Sequence, residues 1–268
     1  GLLGCGAIGT QIAIAIDTGI IQAQLTHIFD TDKKTAENLV TKLKQKPIIV
    51  ENVHLLSSNP VDLVVEAASQ QAVSDNALSI LQNRRDLMIM SAGALLDESV
   101  FEIISDACRE FKKTVYLPSG AISGIDAIKS ARNELDSVTI TTTKHPRSLK
   151  GAKFFETSNL DIDNISDETI IFEGTASEAV RLFPKNVNVS ALLSLAGLGS
   201  HETIVKVIAN PNIDKNIHRI EAVGKFGKIN TIVENTPDNI NPKTSRLAIL
   251  SAIETLRSIC SDEIRIGT

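Results

Sequence analysis

Residues with the types and spacing to do chemistry begin near the amino end of this 268-residue chain, in a glycine-rich turn. Gly4, Gly6 and Gly9 form a G-x-G-x-x-G pattern between a short apolar run and a helical pattern that carries Ile12. The first glycine permits a tight turn, the second lets a pyrophosphate approach the backbone, and the third lets helix and strand pack closely. The pattern therefore predicts a dinucleotide site. The predicted contacts with the cofactor in this turn are Gly4, Gly6, Ala7, Ile8 and Gly9.

An acidic residue, Asp30, lies 21 residues after Gly9, where the second strand is predicted to end. A carboxylate at this point accepts hydrogen bonds from the adenosine ribose hydroxyls, which favours NAD over NADP. Lys33 and Lys34 follow, and they can either accept a 2′-phosphate or form a solvated helix face, so use of both cofactors stays open. The alternative is a glycine turn of another α/β fold, in which Asp30 caps the next helix.

Hydride transfer to a nicotinamide also needs a proton-transfer group from the protein, and histidine titrates in the right range. Three of the five histidines have positions typical of structural or solvated residues: His27, His54 and His145. His201 precedes a predicted strand and can line a turn. His218 shares one face of a predicted strand with Ile220 and Ala222, so periodicity alone supports a core histidine at least as well as a catalytic one.

The elements that position these residues change character near residue 118. Before it, short apolar runs alternate with helical patterns, which is typical of βαβ units and a parallel sheet. The strands predicted there are 2–3, 25–29, 48–50, 61–65, 87–90 and 115–117, with helices behind an Asp32 cap and over 70–81. After the Pro-Ser-Gly break at 118–120, β-branched and apolar runs with few helical patterns predict a mainly antiparallel sheet. These runs are 138–143, 169–172, 203–209, 217–223 and 229–234.

The predicted fold is thus an α/β Rossmann dinucleotide-binding domain, residues 1–118 and 241–268, plus an α+β catalytic domain, residues 119–240. The last segment is assigned to the first domain because its pattern predicts a helix that packs back on that domain. Asn241 is its predicted cap and Pro242 its first-turn proline. Its predicted apolar stripe is Ile249, Ile253, Leu256 and Cys260.

Composition excludes several classes of protein. A formal net charge of -5 without a basic patch argues against binding to nucleic acid. The three cysteines, Cys5, Cys108 and Cys260, are too far apart to suggest a disulfide framework or a zinc site, and a reducing cytoplasmic compartment fits them. No apolar run reaches the length of a membrane span and no targeting leader is apparent, so no membrane partner is expected.

Several segments of the chain resemble the L-aspartate dehydrogenase family, whose architecture is similar to that of dihydrodipicolinate reductase. The resemblance runs nearly from end to end. It is carried by EAASQ at 66–70, SAGAL at 91–95, PSGA at 118–121, FPKNVNV at 183–189, NIHRI at 216–220, GKFG at 224–227 and NPKTS at 241–245. Ser190 departs mildly from the pattern, since a small alanine is more usual there.

The resemblance implies oxidation of L-aspartate at Cα, giving iminoaspartate, which hydrolyses to oxaloacetate and ammonia or supplies NAD biosynthesis; the reverse amination is equally possible. It implies that His218 is the catalytic residue, relaying a proton from the amine and then activating water. It also implies that Ala121 and Asn188 contact the nicotinamide half of the cofactor. The remaining family segments are expected to line the cleft, with Ala68 at the cofactor.

The two carboxylates of aspartate need cationic or N–H partners, for which Lys144, Lys225 and Lys243 are candidates beside Thr244 and Ser245. Ordinary surface charge is the alternative for each lysine. The residues expected to bind substrate are Ser69, Gln70, Asn188, Lys225, Lys243, Thr244 and Ser245.

Other functions stay open at this point. A dihydrodipicolinate reductase-like or homoserine dehydrogenase-like oxidoreductase would share the fold. The reductase family is disfavoured because its paired-histidine segment and its Asp-Ala-Pro-Ser-Gly-Thr run do not occur in this sequence, which has only Lys144-His145-Pro146. A non-enzymatic redox sensor would bind the dinucleotide without consuming an amino acid. The exposed antiparallel sheet also favours a homodimer.

Overall fold

The computed structural model describes residues 1–158, 160–184, 188–237 and 244–261, which fall into two compact units. The first unit comprises Gly1–Pro118 and resumes at Ile249. The second unit is Ser119–Ala248.

The first unit is built on a six-stranded sheet in which every pair is parallel. Its strands are β1 (Leu2–Leu3), β2 (His27–Phe29), β3 (Ile48–Ile49), β4 (Leu63–Glu66), β5 (Asp86–Ile89) and β6 (Val115–Tyr116). Their order, β3-β2-β1-β4-β5-β6, is that of a doubly wound nucleotide-binding sheet, with the reversal between β1 and β4. The Rossmann fold predicted from the alternating runs is therefore confirmed.

Helices connect these strands, and four of the five begin where a side chain caps them. They are α1 (Ala7–Asp17), α2 (Lys33–Lys42), α3 (Val53–Ser58), α4 (Gln70–Gln82) and α5 (Glu98–Phe111). The carboxylate of Asp32 accepts the Lys34 N–H at the start of α2, as predicted. The Ser69 hydroxyl accepts the Ala72 N–H at the start of α4. The predicted helix over 70–81 is confirmed.

The second unit is built on a five-stranded mixed sheet. Its strands are β7 (Leu135–Lys144), β8 (Thr169–Thr175), β9 (Ile204–Ala209), β10 (Asn216–Gly224) and β11 (Gly227–Asn235), in the order β11-β10-β7-β9-β8. Three of the four pairs are antiparallel, which confirms the predicted character of the sheet. The fourth, β7 with β9, is parallel. A parallel pair needs a long crossover, and the chain between these strands supplies one.

The second unit also contains helices that the sequence patterns did not reveal. They are α6 (Ile125–Ser130), α7 (Pro146–Leu149), α8 (Phe154–Thr157), α9 (Ala176–Leu182) and α10 (Asn188–Ala196). Helix α10 is buried around most of its circumference, including Ser190 and Ser194. A helix covered on nearly all sides has no polar stripe, so its periodicity is weak.

The final helix, α11 (Arg246–Cys260), packs on the core of the first unit, as predicted. Ala252 and Leu256 join Ile12 and Ile28 in one apolar cluster. Two details of the prediction need correction. The predicted cap and proline, Asn241 and Pro242, lie outside the described residues, and the described helix begins only at Arg246, because Ser245 pairs with Pro237 in an isolated bridge. Cys260 is exposed at the end of the helix, whereas Ile259 packs against the core. No helix in the described part of the chain is both long and apolar enough to span a bilayer.

Candidate functional site

The glycine turn between β1 and α1 has the geometry that its spacing predicts. Gly4 has a φ of +97°, and a Cβ there would lie 2.6 Å from the Ala67 carbonyl oxygen. A Cβ on Gly9 would lie 2.0 Å from the Gly4 carbonyl oxygen. At Gly6, by contrast, a Cβ would meet no atom within 4 Å. Gly4 and Gly9 are thus required by the turn itself, whereas Gly6 leaves open space where a ligand can approach the backbone.

Asp30 follows β2 and braces this turn directly. Its Oδ2 accepts the Cys5 N–H at 2.7 Å, and its Oδ1 accepts the Asp32 N–H at 2.9 Å. Each carboxylate oxygen keeps a further lone pair, so the group can still accept a hydroxyl hydrogen. The alternative in which Asp30 caps the next helix is wrong, because Asp32 does that.

A cavity of about 410 Å³ opens beside the turn, within the size range of small-molecule sites. It is lined by Gly4, Gly6 and Asp30 together with Ala68 and Ser69, which come from the connection between β4 and α4. These two predicted site residues are therefore brought to the glycine turn. Gln70 is not part of the lining, and its neighbour in sequence, Gln71, is.

Glu66 is a residue of this region to which the sequence analysis gave no role of its own. Its carboxylate is 1% exposed at the end of β4 and accepts the N–H of Ala68, Met90 and Ser91 and the Ser91 hydroxyl. Burial raises the pKa of Glu66, while these hydrogen bonds act in the opposite direction. The carboxylate ties the ends of β4 and β5 together and orients Ala68. The sequence signal that could have identified Glu66 was an acidic residue at the end of an apolar run.

In the second unit, the pairing of β7 with β10 brings His218 opposite Thr142. The His218 Nδ1 and the Thr142 Oγ1 are 3.0 Å apart, and both side chains are buried. Lys144 lies on the same face of β7, two residues beyond Thr142, and is only 4% exposed. Asn216 and Asn235 form the neighbouring cross-strand pair. We call these five residues the buried polar cluster: Thr142, Lys144, Asn216, His218 and Asn235.

The buried polar cluster occupies one end of the covered sheet face. Further along the strands the same face carries Val138, Ile140, Ile220 and Ala222, all buried. Polar side chains are rarely enclosed in such numbers unless they are paired or needed by a ligand. The Asn216 Nδ2 donates to the Ser245 Oγ at 3.4 Å, which adds a predicted substrate residue to the edge of the cluster.

Burial controls the charge of His218. Removal from water, together with the positive charge of Lys144, lowers the pKa of His218 to about 3. The imidazole is therefore neutral at neutral pH and has one ring nitrogen that can accept a proton. This is the protonation state that a general base requires before it acts.

Other predicted site residues fall at differing distances from the cluster. Ala121 is buried, and its carbonyl oxygen accepts a hydrogen bond from the Asn235 Nδ2. Asn188 is half-buried as the first residue of α10. Lys225 is exposed in the turn between β10 and β11, seven residues from His218, or roughly 23 Å along an extended strand. The fold does not bring Lys225 to the cluster, because the strand carries it to the opposite end of the sheet.

The last predicted substrate residues lie near the start of α11. Thr244 is half-buried beside Ser245, and Lys243 lies outside the described residues. Within the described ranges, no group of three or more His, Cys, Asp or Glu side chains is arranged to hold a metal ion. Cys5, Cys108 and Cys260 are free thiols.

Comparison with known proteins identifies relatives of both units. The family model described as "Aspartate dehydrogenase, C-terminal" matches residues 126–259, and the one described as "Homoserine dehydrogenase, NAD binding domain" matches residues 4–118. An L-aspartate dehydrogenase of Nitrosopumilus maritimus is 64% identical over 267 residues, covering 100% of this chain and 98% of the relative. An L-aspartate dehydrogenase of Methanococcoides burtonii is 47% identical, with the same coverage.

A solved structure extends this comparison to the fold. The crystal structure of an aspartate dehydrogenase from Thermotoga maritima superposes with a TM-score of 0.77 at 28% identity, covering 99% of this chain and 97% of that one. Sequence identity over the whole length, the matched family model and the shared fold agree. The chain belongs to the L-aspartate dehydrogenase family.

Proposed function

We propose that this chain oxidises L-aspartate at Cα with NAD or NADP, giving iminoaspartate, which water converts to oxaloacetate and ammonia. Membership of the family supports the substrate. The observation that carries the mechanism is the buried, neutral His218, held by Thr142 beside the buried ammonium of Lys144. The second unit, like residues 119–240 in the prediction, is the catalytic domain, and the first unit is the dinucleotide-binding domain.

The glycine turn fits a dinucleotide. Gly6 leaves open space next to its backbone. It is the residue that precedes α1, and no side chain among the described residues caps the helix there. The N–H groups at the start of α1 are therefore available to the pyrophosphate. When bound, the nicotinamide supplies the hydride acceptor. Gly4, Ala7, Ile8 and Gly9 complete the turn, and Ala68 lines the cavity where the adenosine half lies.

Cofactor choice follows from Asp30, whose carboxylate accepts ribose hydroxyls and repels a 2′-phosphate. Lys33 could offset this repulsion, but its ammonium is highly exposed and lies 3.9 Å from a Glu37 carboxylate oxygen. A solvated helix face therefore explains Lys33, and we expect NAD to be preferred.

His218 acts on the substrate nitrogen. Loss of hydride from Cα requires the lone pair of the amine to form the C=N bond, and this lone pair is blocked while the nitrogen is an ammonium. The neutral imidazole removes that proton. The Cα–H bond then breaks, its electron pair leaves with the hydride, and the nitrogen lone pair forms the C=N bond. Once the ring has released that proton to solvent, the same nitrogen takes a proton from the water that adds to the imine. Thr142 fixes the ring through Nδ1.

Lys144 is the cation that we propose for a substrate carboxylate. It lies on the same sheet face as His218, whereas Lys225 lies at the far end of β10. Charge-assisted hydrogen bonds inside a protein are strong because water does not compete for them. A carboxylate beside Lys144 also offsets the positive charge that lowers the pKa of His218, so the bound substrate strengthens the base that acts on it.

The remaining contacts are polar groups at the margins of the two half-sites. Asn188 supplies an amide to the nicotinamide half or the substrate, and Ala121 lies against the nicotinamide. The other proposed contacts with the substrate are Ser69, Gln70, Lys243, Thr244 and Ser245.

The proposal includes a homodimer in the cytoplasm. The outer face of the second sheet carries exposed Ile170 and Ile232, on the side opposite the buried polar cluster, and an open sheet face with apolar residues favours pairing with a second copy. The three free cysteines fit a reducing compartment. The iminoaspartate product would then be available for NAD biosynthesis. Sedimentation analysis of the full chain tests the dimer, and a monomer at micromolar concentration would contradict it.

An absorbance assay tests the activity. The full chain is incubated with NAD or NADP and one of L-aspartate, L-glutamate, L-alanine or homoserine, and the reduced nicotinamide is followed. We expect a signal with L-aspartate that exceeds the others and is larger with NAD. No signal with L-aspartate in either cofactor would refute the proposal, and a larger signal with homoserine would reassign the substrate.

A further inference from the structure

We propose that Asn235 is a positioning residue whose side-chain amide holds residues 119–123 in the conformation that receives the nicotinamide half of the cofactor. The inference rests on the proposed function, since the contact between Ala121 and the nicotinamide belongs to it. Asn235 itself has no role in the sequence analysis.

The first observation is a buried hydrogen bond between distant parts of the second unit. The Asn235 Nδ2 donates to the Ala121 carbonyl oxygen at 3.0 Å across a separation of 114 residues. Asn235 is 3% exposed and Ala121 is also buried. Because a carbonyl oxygen only accepts hydrogen bonds, the nitrogen of the amide must face it, which fixes the orientation of the Asn235 side chain.

The second observation is that the segment 119–123 depends on such tethers. It contains no helix or strand, and Gly120 takes a left-handed conformation with a φ of +67°. The Thr231 Oγ1 donates to the Ser123 carbonyl oxygen at 3.5 Å, four residues before Asn235 on the same strand face. Strand β11 thus holds the segment at two points, of which the Asn235 contact is the shorter and the more deeply buried.

The third observation is an unmatched acceptor. The Asn235 Oδ1 is buried and has no hydrogen-bond partner among the described residues. A buried acceptor without a donor destabilises the folded state, which offsets part of the stability gained from the hydrogen bond to Ala121. The amide is therefore poorly explained by stability alone and well explained by what its nitrogen holds.

The position of Asn235 connects this tether to the catalytic group. Asn235 pairs across the strands with Asn216, which lies two residues before His218 on the same face of β10. The strand that carries the proposed base is therefore directly bonded to the strand that holds the proposed nicotinamide segment. One strand pair sets the position of both reacting partners.

The test compares two ligands that differ in the nicotinamide. NADH contains it, whereas ADP-ribose carries only the half that binds the glycine turn and Asp30. Calorimetric titration of the full chain measures both dissociation constants for the parent, Asn235→Ala and Asn235→Asp. Asn235→Asp keeps the shape but replaces the donor by an acceptor facing the Ala121 carbonyl. Asn230→Asp, at an exposed position of the same strand, is the matched control.

We expect Asn235→Ala to weaken NADH about fivefold, the usual effect of one lost hydrogen bond, and Asn235→Asp to weaken it more. ADP-ribose affinity should stay within about twofold of the parent in both, and Asn230→Asp should change neither ligand. If the Asn235 variants do not fold, Thr231→Val removes the other tether and should weaken NADH alone by about two- to threefold.

Equal weakening of both ligands, or no weakening of either, would overturn the positioning role, because a merely structural residue does not distinguish them. The outcome for the proposed function is separate. If the parent binds NADH no more tightly than ADP-ribose, or does not turn over L-aspartate, the proposed function itself fails. If the parent passes both tests and the variants keep their preference for NADH, only the role of Asn235 is lost.

Discussion

The glycine turn of the first unit and the buried polar cluster of the second are built in different ways. The turn is formed by backbone shape, through three glycines within six residues. The cluster is formed by side chains from three strands, and its central contact joins residues 76 positions apart. A site made of backbone tolerates almost no added atoms, whereas a site made of side chains can lose one group and keep its fold. The two regions should therefore respond differently to substitution.

The largest effects should come from the glycines. Gly9→Ala puts a Cβ 2.0 Å from a backbone carbonyl oxygen, so the turn must shift, and we expect both a loss of stability of about 2 kcal/mol or more and a loss of NADH binding. Gly6→Ala meets no protein atom, so it should keep the stability of the parent and lose NADH binding. Urea unfolding and NADH titration check both variants. Equal stability of the two variants would contradict the distinction.

Substitution of Lys144, within the cluster, should affect the substrate without affecting the fold or the cofactor. Lys144→Met keeps the aliphatic stem and removes the charge, so we expect the KM for L-aspartate to rise about 10- to 100-fold while the dissociation constant of NADH is unchanged. Lys225→Met, at the exposed end of the same strand pair, is the control and should behave as the parent. A rise in KM in the control alone would identify Lys225, and not Lys144, as the cation that binds a substrate carboxylate.

Asp30 allows a finer comparison, because it braces the backbone turn and is also the residue proposed to bind the cofactor ribose. Asp30→Ala should weaken NAD about fivefold or more and NADP less, since the carboxylate favours a ribose hydroxyl over a 2′-phosphate. It should also lower stability modestly through the lost Cys5 and Asp32 contacts. The ratio of the two dissociation constants is the measurement. Equal weakening of NAD and NADP would leave Asp30 with the bracing role alone.

The last effect is on stability and depends on pH. The pKa of buried His218 is depressed to about 3, below its unfolded value near 6.5. The contribution of neutral His218 to the free energy of unfolding is therefore complete above pH 6.5. It is lost as the pH falls towards 3, by up to about 1.4 kcal/mol per pH unit. The nearby charged group on the same face is Lys144. His218→Asn should lose less stability than the parent between pH 6.5 and 5, by about 2 kcal/mol.

Urea unfolding at several pH values measures this difference. His201→Asn, at an exposed turn position, is the control and should follow the parent. Parallel curves for the parent and His218→Asn would show that His218 is not held neutral by burial.

The contrast between the two regions also explains what the sequence could predict. The glycine spacing, the Asp32 cap and the alternating runs of the first unit act over a few residues, so local patterns were sufficient to identify them. The β-branched strands of the second unit were likewise visible. The choice of Lys144 over Lys225 depends on which strand positions pair across the sheet, and no local pattern contains that information.

Elements enclosed on most sides were also hard to predict. Helix α10 has serines and leucines on all sides, so it lacks the polar stripe by which a helix is recognised. Glu66 and Asn235 are polar residues whose burial becomes clear only after folding, when each is found bonded to a distant backbone group. The start of α11 was misplaced because Ser245 pairs with Pro237, a contact that competes with the local capping signal.

The central claim is that His218 is the proton-transfer group of an aspartate oxidation. The most direct measurement is turnover of L-aspartate with NAD by His218→Asn, with NADH affinity measured on the same preparation. We predict a fall in kcat of about a hundredfold or more with NADH affinity within about twofold of the parent. A kcat close to that of the parent, in a variant that still binds NADH, would contradict the account.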